Sequence, residues 1–266
     1  MQVNVLDKGF VRLVDVMGND QAIVQAARVS YGEGTKTVRE DSALIDYLMR
    51  HQHTSPFEMV EFKFHVKAPI FVARQWFRHR TASVNEISAR YSVIKDEFYV
   101  PEKFRKQSKV NKQASEGFLE EPDNSYSEDI YRYSVEKSFE HYNSLLKLGV
   151  SRELARAVLP VSTYTEFYWK QDLHNLLHFL KLRLSEDAQF EIREYAKAIS
   201  EIVKEIVPIT WKAFEEHVLF AKRFSKTEIE VLQQLVDVEK AKELLKEKGL
   251  SESRIREFLR KMKKDL

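Results

Sequence analysis

The chain has 266 residues, 43% of them hydrophobic, and a formal net charge of +2. That is enough apolar material for a sizeable core, and too little net charge to draw the molecule to nucleic acid or to a membrane. It contains no cysteine, which excludes disulfides, thiolate metal sites and a cysteine nucleophile in this chain.

MQVNVLDKGF has no apolar run of the signal-peptide kind, and no stretch approaches the roughly 20 apolar residues of a membrane span, so a cytoplasmic protein is expected. Residues 2 to 16 read as extended chain with a turn at Lys8-Gly9. Asn19 is placed to N-cap a helix that runs through Val29. GEGTKT at 32–37 fits neither a dinucleotide-binding glycine fingerprint nor a phosphate loop. Arg39 to His51 is helical, with Leu44, Ile45, Leu48 and Met49 on one face, and His53 to Pro56 is a loop.

VEFKFHVKA is the cleanest strand: Val60, Phe62, Phe64, Val66 and Ala68 alternate with polar residues. Pro69 suits the first turn of a helix, continued by IFVARQWFRH to about Arg80. Residues 84–91 read as extended, and EFYVP at 97–101 as a short strand. Residues 102–127 read as a long surface loop. Helices are expected at Ser127–Leu148, ended by Gly149, then after Ser151 up to Pro160. VSTYTEFYW at 161–169 has strand composition. Helices at about 172–184 and 187–206 follow, and another from Pro208 to about Phe220. From Lys226 onward the chain holds 11 Lys/Arg and 9 Asp/Glu with a single Gly, which reads as a helical hairpin turning at Gly249. The expected division is therefore 1–224 and 225–266.

The chemistry concentrates in RHRTASVNEISAR, residues 78–90, which holds three Arg, one His, one Glu and three hydroxyls. Arg presents a permanent charge on a planar fork of donors, suited to phosphate or pyrimidine oxygens. On a helix reaching Arg80, Arg74 and Arg78 would share a face while Arg80 points away; on an extended segment, Glu86, Ser88 and Arg90 would project together. A salt-bridged surface helix with a polar turn, or a nucleotide- or RNA-binding protein without catalysis, would use the same residues. Trp76, Phe77, Val72 and Ile87 favour packing against a core over the first of these. His51-x-His53 and the pair His174 and His178 have metal-ligand spacing, but HNLLH lacks the general-base Glu of a zinc protease, so no metal is expected. Arg152 and Arg156 lie one turn apart, and Arg183 ends a leucine-rich helix.

Arg78-His79-Arg80-Thr81-Ala82-Ser83-Val84-Asn85-Glu86-Ile87-Ser88 matches the R-H-R-x-x-S-x-N-E-x-S signature of the flavin-dependent thymidylate synthases, and is followed by Arg90-Tyr91. SPFE at 55–58, ELARAVLP at 153–160 and LRLSEDAQFEIREYA at 182–196 resemble family segments in family order, over roughly residues 1–220. The resemblance implies an α+β enzyme with a mainly antiparallel twisted sheet flanked by long helices, and a C-terminal helical extension outside the family. It implies methylation of dUMP to dTMP, with methylenetetrahydrofolate as carbon donor, FAD as hydride carrier, NADPH as reductant, no nucleic-acid partner, and a homotetramer with shared sites. Such chemistry needs no cysteine.

Residue by residue, the resemblance assigns Gln75, Trp76, Phe77, Arg78, Glu86, Ile87, Ser88, Ala89, Arg90, Arg156 and Arg183 to dUMP. The resemblance implies that Arg183 is the catalytic cation, stabilising ionised uracil, and that Ser88 is a positioning hydroxyl. His53, Ser55, Arg78, His79, Arg80, Glu86 and His178 are assigned to FAD. The family's Asn-x-Arg-type run, also an FAD contact, reads Asp172-Leu173-His174 here, which exchanges an amide donor for a carboxylate.

Overall fold

The computed structural model describes residues 1–29, 38–109 and 115–262. The expectation at residues 32–37 lies outside them. The chain divides into compact units Met1–Leu219 and Phe220–Leu266, a few residues before the boundary expected from sequence.

The first unit is built on a five-stranded sheet of order β1-β2-β3-β7-β4 in which every neighbouring pair is antiparallel. Its strands are β1 (Gln2–Val5), β2 (Gly9–Met17), β3 (Glu61–Pro69), β4 (Ser83–Glu86) and β7 (Tyr164–Asp172). Alternation in β3 sorts the faces: Phe62, Phe64 and Val66 are fully buried, while Lys63, His65 and Lys67 lie on the other side. Phe167 and Trp169 of β7 continue that buried face. Helices α1 (Asp20–Arg28), α2 (Val38–Arg50), α3 (Ile70–Trp76), α6 (Leu173–Arg183), α7 (Phe190–Ile206) and α8 (Pro208–Phe214) close one core with it. A smaller core forms around α4 (Asp123–Lys147) and α5 (Arg152–Ala155), from Val135, Phe139, Tyr142 and Ala155.

Four expectations change. First, α3 stops at Trp76. The amides of Arg78 and His79 bond to the carbonyls of Gln75 and Trp76, one residue tighter than an α-helix, and the chain turns back to pair β4 with β7. Trp76, wedged between Trp169 and Phe179 at ring-centroid distances of 5.1 and 5.0 Å, holds that corner. Arg78 and Arg80 therefore lie beyond the helix. Second, only Ser83–Glu86 of the 84–91 segment is strand; Ser88 begins a turn whose carbonyl accepts from the amides of Tyr91 and Ser92. Third, 97–101 makes a single bridge, Phe98 to Thr163, while the supposed long loop contains the hairpin β5 (Arg105–Gln107) and β6 (Ser115–Phe118) and the start of α4. Fourth, α8 gives way at Phe214 to a π-helical turn, Glu215–Leu219.

The second unit has three helices where two were expected: α9 (Lys226–Leu235), α10 (Val238–Glu247) and α11 (Glu252–Met262). Ser225 and Glu228 form a reciprocal capping box on α9. Val236 leaves the helix and Asp237 caps the next one, a short break the hydrophobic period alone does not reveal. Gly249, at φ +78°, ends α10 as expected. Among the described residues no helix is long and apolar enough to cross a membrane.

Candidate active site

The corner after α3 and the solvent-facing side of α6 line an open cleft of about 490 Å³. Its walls are Arg78, His79, Arg80 and Thr81 from the corner, Gln171 from β7, and Asn175, His178, Leu182 and Arg183 from α6. This donor set is rich in guanidinium and imidazole and includes no carboxylate. Such a lining suits an anionic ligand carrying ring carbonyls.

Arg183 is the best-anchored cation in the cleft. Its Nε–H donates to His79 Nε2 at 3.0 Å and its Nη2–H to the backbone oxygen of Gln75 at 3.2 Å. Burial, then the nearby Arg78 charge, lowers its pKa from the usual guanidinium value. His79 is half-buried. Burial first, then Arg183 and His178, pushes its pKa down to about 4, so the imidazole is neutral near pH 7. Phe179 meets the His79 ring edge-on at 4.9 Å.

A second polar group surrounds Glu153, on α5. Arg90 Nε lies 3.4 Å from its carboxylate, and Arg156 Nε–H donates to its backbone oxygen at 3.2 Å. Arg152 donates to Tyr91 O at 2.8 Å, and Ser88 Oγ accepts from the Arg90 amide at 3.3 Å. Ser88, Ala89, Arg90 and Arg156 are thus gathered together, but none lines the cleft. Glu86 does not line the cleft. Its carboxylate accepts from Thr165 Oγ1 at 2.7 Å, and the next amide, of Ile87, donates to Glu166 O.

His53 and Ser55 are exposed on the loop after α2 and do not line the cleft. His53 sits edge-on to Tyr47 at 5.7 Å. Trp76 and Leu173 are fully buried, and the Leu173 amide bonds to Val60 O; their side chains belong to the core and do not line the cleft. Phe77 packs edge-on against Phe167. Gln75 bonds through its side chain to Gln189. Asp172 is the N-cap of α6: one oxygen accepts from the Asn175 amide at 2.9 Å and the other from Asn175 Nδ2 at 2.7 Å. The Asp172 carboxylate thus caps the helix and does not line the cleft. His174 is partly buried on the same helix and does not line the cleft. Among the described residues no group of three His, Asp or Glu side chains could hold a metal ion.

Sequence reasoning missed Gln171, Asn175, Thr81 and Leu182. Asn175 lies at N3 of the helix that Asp172 opens, so the pattern D-x-x-N was its available signal. Gln171 is 3% exposed with its Nε2 unpartnered, and no linear pattern announces it.

A sheet-corner segment of Arg and His beside a helix that ends in Arg points to a class, proteins that hold an anionic, ring-bearing ligand. Comparison with known proteins narrows it. The family model described as thymidylate synthase complementing protein matches residues 12–209. A flavin-dependent thymidylate synthase of Thermus thermophilus is 65% identical over 262 residues, covering 98% of this chain and 96% of that one. One from Ehrlichia ruminantium is 56% identical over 234 residues, 87% of this chain and 79% of the relative. The crystal structure of the UMP/dUMP methylase PolB from Streptomyces cacaoi bound with 5-Br dUMP superposes with a TM-score of 0.75 at 35% identity, over 83% of this chain and 100% of that chain. The chain belongs to the flavin-dependent thymidylate synthase family. The Thermus match spans 98% of the chain and so takes in the tail, which the sequence reading had set outside the resemblance.

Proposed function

We propose that this chain converts dUMP to dTMP, using methylenetetrahydrofolate as carbon donor, FAD as the flavin and NADPH as reductant. The carrying observation is the cleft in which Arg78, His79, Arg80, His178 and Arg183 converge with no carboxylate among its walls. That lining fits a flavin nucleotide: cationic forks meet phosphates, and imidazoles and the Gln171 amide offer donors to ring carbonyls. When bound, the flavin supplies hydride transfer. The protein's own part is to bind, orient and polarise.

Arg183 stabilises negative charge on the uracil ring. This is electrostatic activation by a cation already held in place, in a site where partial burial strengthens it. Arg78 bridges the nucleotide and flavin positions, and Arg80 holds the flavin. Glu86, fixed by Thr165, orients both ligands from the strand end. Ser88, Arg90 and Arg156 hold the nucleotide phosphate. Because this second group does not line the cleft that holds Arg183, the reading calls for sites completed between subunits, and a homotetramer is the assembly proposed. His53 and Ser55, exposed in one protomer, would meet the flavin in the same way, in a cytoplasmic enzyme. The 1–219 unit is proposed as catalytic and the tail as an appended helical unit.

A visible spectrum of the purified protein tests this reading. The expected result is a flavin band that NADPH bleaches under anaerobic conditions, at a rate that dUMP changes. A protein that stays colourless after FAD is added would overturn it.

A further inference from the structure

Arg183 presents five N–H groups on a planar fork. Nε and Nη2 share one edge of that fork, and the protein uses both: His79 Nε2 accepts at 3.0 Å and Gln75 O at 3.2 Å. The edge bearing the two Nη groups is left for a ligand in the cleft that Arg183 lines. A single anchor would let the plane swing about Nε. Two anchors on one edge fix both its position and its tilt.

Of the two anchors, Gln75 O is a backbone carbonyl and accepts at any pH. His79 accepts only through a bare nitrogen. The ring proton must then sit on Nδ1, since an imidazolium has two donors and no acceptor. The surroundings favour the neutral ring. Arg183 and His178 face it from α6, Arg78 and Arg80 flank it in the chain, Phe179 covers one side, and no carboxylate lines the cleft to attract a second proton. The lowered pKa of His79 agrees with this geometry.

We propose that His79, besides any contact with the flavin, is the positioning residue of Arg183: its bare Nε2 fixes one edge of the guanidinium so that the other meets the imide edge of the pyrimidine at a set angle. This rests on the reading of Arg183 as the cation that activates uracil. It assigns the Nδ1–H tautomer to His79 and leaves that N–H as the ring's one donor. It also ties the orientation of the activating cation to the protonation state of a neighbouring ring.

The test is a double-mutant cycle on FAD-saturated enzyme, with flavin content checked by absorbance and kcat and KM for dUMP measured from pH 5 to 8. His79→Phe removes the acceptor and should lower kcat by on the order of 100-fold, as a misplaced catalytic group does. His79→Gln, whose amide oxygen can accept from Nε–H, should recover most of that loss. His79→Phe combined with Arg183→Ala should be no slower than Arg183→Ala alone, because one residue acts through the other. If the two losses instead multiply, or if Gln at 79 is as poor as Phe, His79 does not act through Arg183 and the proposal falls. If Arg183→Ala keeps full turnover, the underlying reading of Arg183 fails with it, a distinct result. For the case in which His79→Phe does not fold or retain flavin, nitrogen-15 spectra of the histidine rings in the wild-type holoenzyme decide at pH 7. A protonated Nδ1 and a bare Nε2 are expected; the opposite tautomer would overturn the proposal.

Discussion

Arg183 and Arg78 occupy the same cleft but make separable demands on it. Arg183 is anchored by His79 and Gln75, so its removal takes away a cation already fixed in the cleft. Arg183→Ala should lower turnover by orders of magnitude, to a slow but measurable residual rate, and leave FAD bound; single-turnover assays with flavin absorbance as the internal control would check both halves. Arg78 lies past the helix end and is exposed. Arg78→Ala should weaken dUMP binding by about 2 kcal/mol, the scale of a lost charged hydrogen bond, and calorimetric titration reads that directly. His79 also makes a prediction about pH. Its folded pKa of about 4 lies below the ordinary 6.5, so between these values the unfolded chain binds more protons than the folded one. Stability should therefore fall as pH drops from about 6.5 towards 4, and this contribution should be unchanged above that window. Thermal melts of the wild type and His79→Gln over that range should diverge on the acid side and run parallel above it.

At the scale of elements, two close contacts fix how helices meet the sheet. A Cβ on Gly9 would lie 1.9 Å from Tyr195 Oη and 2.8 Å from the carbonyl oxygens of Lys67 and Val5. Tyr195 itself donates to Lys67 O, tying α7 to β3 just where β2 begins. Gly9→Ala should cost about 3 kcal/mol by forced overpacking, and adding Tyr195→Phe should return part of it, as denaturant titrations would show. Asp20, 8% exposed, caps α8 from a distant part of the chain by accepting from the amides of Ile209 and Thr210 and from Thr210 Oγ1. Asp20→Ala should cost about 2 kcal/mol or more, since it leaves buried donors unpaired. These contacts also show where sequence reading succeeds and where it stops. Strand β3 was legible because alternation is a local property, and Asn19, Gly149 and Gly249 were legible because caps are local too. The end of α3 was not. It is set by the pairing of β4 with β7, partners some 80 residues apart, and by the packing of Trp76 against Trp169. The cleft was half legible for the same reason. The R-H-R segment declares itself as a motif, whereas Gln171 and Asn175 join it only through the register of β7 and the capping of α6.

At the scale of the molecule, among the described residues the large core draws on residues up to Leu219. The site is different. One protomer gathers Arg78, His79, Arg80 and Arg183 in the cleft and sets Ser88, Arg90 and Arg156 around Glu153. On the proposed reading, a complete nucleotide site depends on another copy of the chain. The measurement that tests the account most directly is the product: dUMP, methylenetetrahydrofolate, NADPH and FAD are incubated anaerobically with the enzyme, and dTMP is quantified. The account predicts dTMP in proportion to enzyme, dependent on added or bound FAD, and cut by orders of magnitude with Arg183→Ala. A protein that binds FAD and is reduced by NADPH but forms no dTMP would contradict it.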